Sequence, residues 1–294
     1  MSWVVLVHGG AASSDLHRDG CENAAAAARE ILTAGGDAQA AALEATRLLE
    51  DDPRFNAGTG SNLRLDGELV QMDAALMTSS GGFGAVACIE RVRNPVLVAA
   101  RVMDTPHLML VGEGATAFAR RQGFADYDPV TEGGRRKYAR ALAELTGRGD
   151  GAFAEDAAPW KRLALQALWN FRGEASDALG RACSGAPVDE TAAGGCDTVG
   201  AVVRDPSGGF CATASTGGTI YMLRGRVGDS PLIGGGLYAG AAGAVAATGV
   251  GEEIARRLLS KTAYDWLAAG ASAREAAERA VALFPHEIDV GVLV

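Results

Sequence analysis

A glycine-rich approach to a threonine that opens an apolar run is the feature that most constrains the fold of this chain. Gly194 and Gly195 precede Cys-Asp, and Thr198 then begins the run Thr-Val-Gly-Ala-Val-Val, which ends at Val203. A short apolar run that is rich in β-branched residues predicts a buried strand. Glycines allow tight turns and close approach of the backbone to a ligand. We therefore predict that Thr198 lies where a tight loop enters the core.

The length of the chain allows one large domain or two medium ones, and we predict a single globular domain over residues 1–294. The chain is 48% hydrophobic and 21% charged, which is typical of a soluble protein with a large core. Its formal net charge of −9 argues against nucleic acid and anionic membranes as partners, because both attract basic surfaces. The N-terminal run Trp3–Val7 has no basic residue before it and predicts a core strand instead of a signal peptide.

The cysteines argue against a disulfide framework or a zinc site. They are odd in number, scattered and without a CxxC spacing: Cys21, Cys88, Cys183, Cys196 and Cys211. A reducing compartment fits this usage, and no apolar segment reaches the roughly 20 residues that span a bilayer. We predict a cytoplasmic protein that has no membrane partner.

Hydrophobic patterning predicts strands and helices in alternating groups. We predict strands at 3–7, 63–65, 69–77, 84–92, 96–103, 108–111, 199–204, 210–215, 220–224 and 290–294. We predict helices at 22–33, 37–50, 137–146, 160–171, 252–268 and 273–283, and one that begins near Gly112. Hairpin-length connections favour two antiparallel sheets covered by helices. The polar, glycine-containing stretch 147–197 is interpreted as a flexible linker.

Eight short motifs, in order along the chain, carry a specific resemblance. They are His8–Ala11, Leu48–Gly60, Met72–Ala74, Arg93–Val96, Thr198–Val202, Ser215–Gly218, Gly225–Pro231 and Thr248–Glu252. The set resembles the plant-type asparaginase and isoaspartyl peptidase family, to which glycosylasparaginase and taspase are related. The resemblance implies an α+β fold, the four-layer αββα sandwich of the N-terminal nucleophile (Ntn) hydrolases. An isolated threonine at position 198 would be interpreted as an ordinary strand residue. Because the other motifs accompany it, we interpret Thr198 as a nucleophile.

The resemblance also implies self-cleavage of the Asp197–Thr198 bond, which yields an α subunit of residues 1–197 and a β subunit of residues 198–294. A threonine hydroxyl is a poor nucleophile without a base within hydrogen-bond reach. A terminal threonine carries its own base, because the reference pKa of an α-amine is about 7.7–8.0. Before cleavage that amine is an amide, so the site is inactive.

The roles of the site residues follow from the resemblance. Thr198 is the expected nucleophile, Thr216 orients it, and Thr248 with the backbone N–H of Gly249 holds the oxyanion. Asn56 is expected to support the nucleophile.

For the substrate, Arg226 is expected to bind the α-carboxylate. Asp229 is expected to bind the α-ammonium, with help from the carbonyl of Gly218. An Arg/Asp pair of this spacing would ordinarily be interpreted as a solvated ion pair. We prefer the substrate-binding interpretation because this pair lies within the motif Gly-Arg-Val-Gly-Asp-Ser-Pro.

The family resemblance implies a structural sodium ion and otherwise no cofactor. The expected ligands are backbone carbonyls of one loop: Leu49, Glu50, Asp52, Phe55, Ala57 and Thr59. It also implies a homodimer of cleaved protomers.

The sequence leaves more than one substrate open. L-asparagine and β-aspartyl dipeptides are expected, but Asp197 before the nucleophile is typical of the glycosylasparaginase branch, so a glycosylated asparagine is an alternative. Ser215–Gly218 follows the asparaginase branch instead. An uncleaved binding protein of the same fold is another alternative. Gly112–Ala117 imitates a dinucleotide-binding loop but lacks a compact βαβ unit.

Overall fold

A computed structural model describes residues 2–11, 13–181 and 198–294. The predictions that concern Asp197, Cys183 and Cys196 lie outside the described residues. The division at Thr198 and the flexibility of the 147–197 stretch stay predictions.

The described residues form nine strands and eleven α-helices. The strands are β1 (Val4–His8), β2 (Met72–Thr78), β3 (Phe83–Ile89), β4 (Met109–Val111), β5 (Thr198–Arg204), β6 (Phe210–Thr216), β7 (Leu237–Gly240), β8 (Gly243–Gly249) and β9 (Val290–Leu293). The helices are α1 (Arg18–Thr33), α2 (Ala38–Asp51), α3 (Pro95–Met103), α4 (Gly112–Arg121), α5 (Glu132–Leu145), α6 (Ala154–Lys161), α7 (Leu165–Leu168), α8 (Ala175–Arg181), α9 (Gly251–Arg257), α10 (Leu259–Ala268) and α11 (Ala273–Val281).

The strands make two sheets, as the sequence predicts. The first has the order β1-β5-β6-β2-β3-β4, and the second has the order β7-β8-β9. Every pair is antiparallel except β3 with β4, which are parallel. Connections between neighbouring antiparallel strands are short enough for hairpins, such as the one between β5 and β6.

Side-chain alternation along the strands sorts the core into layers. On β5, Val199, Ala201 and Val203 pack against α1 and α2, while Val202 packs against β7 and β8. Helices α3 and α4 cover β2 and β3 in the same outer layer. Helices α10 and α11 cover the outer face of the second sheet. The predicted four-layer αββα sandwich is confirmed.

Several predicted elements are wrong, and one of them is the predicted strand 63–65, which has no strand conformation. The predicted strand 96–103 is helix α3, because Pro95 begins a helix at its first position, where a missing N–H costs nothing. Residues 220–224 form no strand; Ile220 and Tyr221 pack instead in a cluster with α5 and α6. The predicted helix 252–268 is divided at Leu258, whose φ of 45° lies in the left-handed region.

Strands β7 and β8 were not predicted. Their sequence, Leu237–Gly249, is rich in alanine and glycine, which have little preference for strands. In the fold, Ala244 and Ala246 face the first sheet and are buried. Small side chains at this interface let the two sheets approach closely, so packing and not propensity determines these strands.

The 147–181 stretch contains α6, α7 and α8. Phe153 and Ala157 are buried there against Leu142 and Tyr221. The predicted helix 160–171 corresponds to two short helices and not to one.

No helix in the described ranges combines the length and apolarity that a bilayer crossing demands.

Candidate active site

Two threonines face each other at one end of the first sheet. Thr198 is the first residue of β5 and Thr216 is the last residue of β6, and the antiparallel register pairs them directly. Each is about 4% exposed. Directly paired residues hold their Cβ atoms about 4.5–5.5 Å apart, which brings both hydroxyls to the same place. The prediction that Thr198 opens a buried strand is confirmed.

A third threonine comes from the second sheet. Thr248 lies on β8 at the same alternation as Ala244 and Ala246, so it faces the space between the sheets. Thr198 has the same alternation as Val202, which also faces that space. The Thr248 hydroxyl oxygen accepts the backbone N–H of Ala11 at 3.2 Å. Its own hydrogen therefore stays available for donation to another group.

Gly249 follows Thr248 at the end of β8. Its φ is 138°, and a Cβ at this position would lie 2.2 Å from the carbonyl oxygen of Asp289. Only glycine fits such a backbone. This conformation turns the chain from β8 into α9 and leaves Gly249 on the pocket wall.

Most of the predicted site residues line one pocket. It encloses about 200 Å³, including the part open to solvent. Its walls are Thr198, Thr216, Gly218, Thr219, Arg226, Asp229, Gly249 and Gly251. Thr219 and Gly251 were not predicted, although both follow directly on quoted motif residues or lie within them.

Arg226 is held by a second acidic residue. Its Nε donates to Oε1 of Glu252 at 2.9 Å and its Nη2 donates to Oε2 at 2.9 Å, a two-pronged pair. The Arg226 side chain is 17% exposed and that of Glu252 is 50% exposed. Nη1 lies close to Gly228 and Gly218. The edge formed by Nη1 and Nη2 is thus the part of the guanidinium available to a ligand.

Asp229 is a buried carboxylate that needs a cation. It is 3% exposed, and its Oδ2 has no hydrogen-bond partner among the described residues. Burial raises the pKa of Asp229 to about 7, and the charge of nearby Arg226 opposes that shift. An ammonium group bound beside Oδ2 would satisfy the orphaned oxygen and lower this pKa.

Asn56 supports the turn that follows β6. Its Nδ2 donates to the Gly218 carbonyl at 2.5 Å, and its Oδ1 accepts the backbone N–H of Asn62 at 2.8 Å. Its own carbonyl accepts the N–H of Gly217 at 2.8 Å. The Gly218 N–H in turn donates to the Thr216 hydroxyl at 3.0 Å. Through Gly218, these contacts connect Asn56 to Thr216, which faces the predicted nucleophile Thr198.

The Gly218 carbonyl accepts hydrogen bonds that the sequence did not predict. Besides Asn56 it accepts the Nδ2 of Asn62, at 3.3 Å. A carbonyl oxygen has two lone pairs, so a substrate ammonium would have to share one of them. Asn62 was not predicted, and no motif residue near it indicated this role.

The loop predicted to hold sodium folds back on α2. The Glu50 carbonyl accepts the N–H of Thr59 at 2.8 Å, and the Asp52 carbonyl accepts the N–H of Phe55 at 3.2 Å. Positive φ at Gly58 makes the return possible. Two of the six expected carbonyls therefore already accept a hydrogen bond within the loop, and the sodium ion stays a prediction. Leu49, Phe55 and Ala57 have hydrocarbon side chains, so each could contribute only its backbone carbonyl to a cation site.

The Glu50 side chain lies inside the protein. Its Oε1 accepts the hydroxyl of Ser215 at 2.6 Å and the N–H of Val96 at 2.9 Å. Burial raises the pKa of Glu50 to about 8. This carboxyl group therefore connects the predicted cation loop to the residue before Thr216.

Comparisons with known proteins agree with this geometry. The Asparaginase_2 family model, described as "Asparaginase", matches residues 1–294. The chain is 39% identical over 287 residues to a "Plant-type L-asparaginase" of Pyrococcus abyssi, covering 95% of this chain and 84% of the relative. It is 41% identical over 260 residues to an "Isoaspartyl peptidase" of Salmonella typhimurium, covering 86% and 72%. It is 36% identical over 294 residues to an "Isoaspartyl peptidase/L-asparaginase" of Danio rerio, covering 97% and 83%.

Proposed function

The chain belongs to the asparaginase family, and from that premise we propose that it is an N-terminal threonine hydrolase of L-asparagine and β-aspartyl dipeptides. The observation that carries this proposal is one pocket that contains Thr198, Thr216, Arg226 and Asp229. The pocket combines a nucleophile, Thr198, with a guanidinium that can bind an α-carboxylate and a carboxylate that can bind an α-ammonium group.

Maturation precedes catalysis in this proposal. The Thr198 hydroxyl attacks the carbonyl carbon of Asp197, and the nitrogen of Thr198 leaves as an amine, so that an ester replaces the amide. Water then hydrolyses the ester and frees residues 1–197 from residues 198–294. If the Asp197 carboxylate acts as a local base, Asp197→Asn slows this step and leaves the kcat of cleaved enzyme unchanged. Equal cleavage rates would remove Asp197 from the chemistry.

Turnover uses the same hydroxyl. The free α-amine of Thr198 takes the hydroxyl proton as the oxygen attacks the β-carbonyl carbon of the substrate. The resulting oxyanion accepts hydrogen bonds from the Thr248 hydroxyl and the Gly249 N–H, which supply preorganised donors. The amine or ammonia leaves with the proton, and water hydrolyses the aspartyl ester on Thr198.

Substrate selection rests on the free edge of Arg226 and on Asp229. A guanidinium edge matches a carboxylate in two-pronged fashion, and a buried carboxylate matches an ammonium. Together they require a free α-carboxylate and α-amine and leave the β-carbonyl beside Thr198.

The surroundings of the site remain part of the proposal. We infer a cytoplasmic homodimer of cleaved protomers with a sodium ion in the loop of residues 49–59. The sodium ion would stabilise the loop that carries Asn56 and takes no part in the chemistry.

The deciding experiment compares three substrates on purified protein: L-asparagine, a β-aspartyl dipeptide and a glycosylated asparagine. We expect turnover of the first two, together with intact masses for residues 1–197 and 198–294. Preference for the glycosylated substrate would favour the alternative that Asp197 suggests. A single full-length mass without turnover would favour the non-catalytic binding protein.

A further inference from the structure

The loop of residues 225–231, here called the Arg226 loop, has no regular strand or helix. It nevertheless carries both charged residues that face the pocket, Arg226 and Asp229. A loop without ladder hydrogen bonds depends on other groups to satisfy and position its backbone. The source of that positioning lies behind the loop, on the side away from the pocket.

Three buried side chains contact successive backbone groups of the Arg226 loop. Gln71 Oε1 accepts the N–H of Gly225 at 2.8 Å. Arg64 Nη2 donates to the carbonyl of Arg226 at 3.2 Å. Asp73 Oδ2 accepts the N–H of Gly228 at 3.3 Å.

These three residues, here called the rear cluster, are linked to each other and to the sheet. Arg64 is 1% exposed, Asp73 is 2% exposed and Gln71 is 6% exposed. Arg64 Nη2 also donates to the Gln71 carbonyl at 3.2 Å, and Asp73 Oδ1 accepts the N–H of Cys88 at 2.8 Å. Burying a guanidinium and a carboxylate is costly unless both are hydrogen-bonded. Both oxygens of Asp73 accept a hydrogen bond and Arg64 Nη2 donates two, while Arg64 Nε has no partner among the described residues. Such groups therefore have a restricted geometry.

The rear cluster is in register with the nucleophile. Asp73 pairs with Thr216, which pairs with Thr198, so the three residues form one row across β2, β6 and β5. Neighbouring strands lie about 4.8 Å apart, which places the backbone of Asp73 about 10 Å from that of Thr198. Asp73 therefore connects the Arg226 loop to the nucleophile across three adjacent strands of the first sheet.

Arg64 adds a second connection. Its Nη1 contacts the sulfur of Met222 at 2.7 Å, and that sulfur accepts the N–H of Thr219 at 3.1 Å. One side chain thus contacts both the Arg226 loop and the turn that continues from Thr216.

We propose that Arg64, Gln71 and Asp73 are positioning residues that set the distance between the Arg226 loop and Thr198, and thereby the selectivity for substrates with a free α-carboxylate. This inference rests on the proposed hydrolase function. It concerns residues that touch neither substrate nor reacting atoms. The selectivity of the pocket then depends on the rear cluster as well as on Arg226 itself.

The test uses Asp73→Asn with two β-aspartyl dipeptides, one with a free α-carboxylate and one with that group as an amide. The asparagine side chain keeps the shape but places a donor against either the Gly228 or the Cys88 N–H. We expect kcat/KM for the free acid to fall about tenfold, mostly through KM, because a buried N–H loses its acceptor. The amide substrate should change little, so the ratio between the two substrates falls.

Thr46→Val is the matched control. Thr46 is equally buried and its hydroxyl lies 2.7 Å from that of Thr213, between α2 and β6 and away from the Arg226 loop. This variant should lower the melting temperature and leave the substrate ratio unchanged. Gln71→Leu removes the acceptor of the Gly225 N–H and a hydrogen bond that Gln71 Nε2 donates to Glu90. This variant should lower the ratio less than Asp73→Asn does, and it tests the proposal if Asp73→Asn does not fold.

The outcomes separate the two proposals. Wild-type protein that hydrolyses neither dipeptide overturns the proposed function. Wild-type turnover with an unchanged ratio in both rear-cluster variants overturns the positioning role alone. A ratio that falls equally in Thr46→Val also overturns it, because general loosening would then explain the effect.

Discussion

The nucleophile side and the substrate side of the pocket are built by different means. Thr198 and Thr216 are the paired ends of two adjacent strands, so the backbone ladder places their side chains next to each other. Arg226 and Asp229 lie on a loop whose backbone is held by buried polar side chains from elsewhere in the chain. The first side is positioned by regular structure and the second by individual hydrogen bonds.

This difference predicts that the two sides of the pocket respond differently to mutation. A ladder repeats the same backbone hydrogen bond along its length, whereas the Arg226 loop is held by a few individual contacts, three of them from the rear cluster. Changes behind the pocket should therefore alter substrate selection more than they alter the nucleophile. Only direct replacement of Thr198 should remove the chemistry itself.

Replacing the nucleophile has the largest expected effect. Thr198→Ala should block cleavage into 1–197 and 198–294 and lower turnover by at least about a thousandfold, since no other group supplies the attacking oxygen. Thr198→Ser should retain part of each. Intact mass and steady-state turnover measure both effects. Activity in a preparation that stays at full mass would exclude the terminal amine as the base.

Arg226→Lys should be the most damaging change on the substrate side. A lysine keeps the charge and loses the two-pronged geometry, so we expect kcat/KM for a β-aspartyl dipeptide to fall about a hundredfold. The α-amide substrate, which lacks the carboxylate, should lose much less. Equal losses for the two substrates would mean that Arg226 does not bind the α-carboxylate.

Asp229→Asn should stabilise the free protein while it weakens substrate binding. Folding raises the pKa of Asp229 to about 7, from about 3.9 in the unfolded chain. Below about pH 3.9 the carboxyl is neutral in both states and does not lower the free energy of unfolding. As the pH rises towards 7 the unfolded state ionises more readily than the folded state, so the folded protein loses stability. The melting temperature of the variant should therefore exceed that of wild type by a few degrees at pH 8, and by less at pH 4.5. Thermal unfolding at the two pH values, without substrate, provides the measurement. A difference that is the same at both would contradict a buried, titrating carboxylate.

Glu252→Gln should have the smallest effect of the four. Glu252 is half exposed, and an exposed ion pair contributes about 1 kcal/mol or less. We expect a rise in KM of about fivefold with kcat nearly unchanged, because Arg226 loses the partner that aims its free edge into the pocket. Steady-state kinetics on the free-acid dipeptide checks this. A lower KM would instead identify Glu252 as a competitor for the substrate carboxylate.

Much of the first sheet and its helices could be predicted from local pattern. The β-branched run after Thr198 predicts a strand and the amphipathic repeats of α1 and α2 predict helices, because strands and helices have different hydrophobic periods. Strands β7 and β8 could not be predicted, since their alanines and glycines favour a strand only between two layers. The prediction for residues 96–103 was wrong for the converse reason: an apolar run that only Arg101 interrupts shows too little alternation in the sequence to distinguish a strand from a helix.

For the site, the sequence by itself determined which residues we propose to react or to bind the substrate: Thr198, Thr216, Thr248, Arg226 and Asp229 each stand in a short motif that is recognisable without a structure. Only the tertiary structure decided which groups hold them. Asn62, Glu252 and the rear cluster act through contacts between residues far apart in sequence, such as Asp73 with Gly228. No local pattern encodes such a contact, because a buried hydrogen bond depends on where two distant segments meet and on nothing that either segment contains alone.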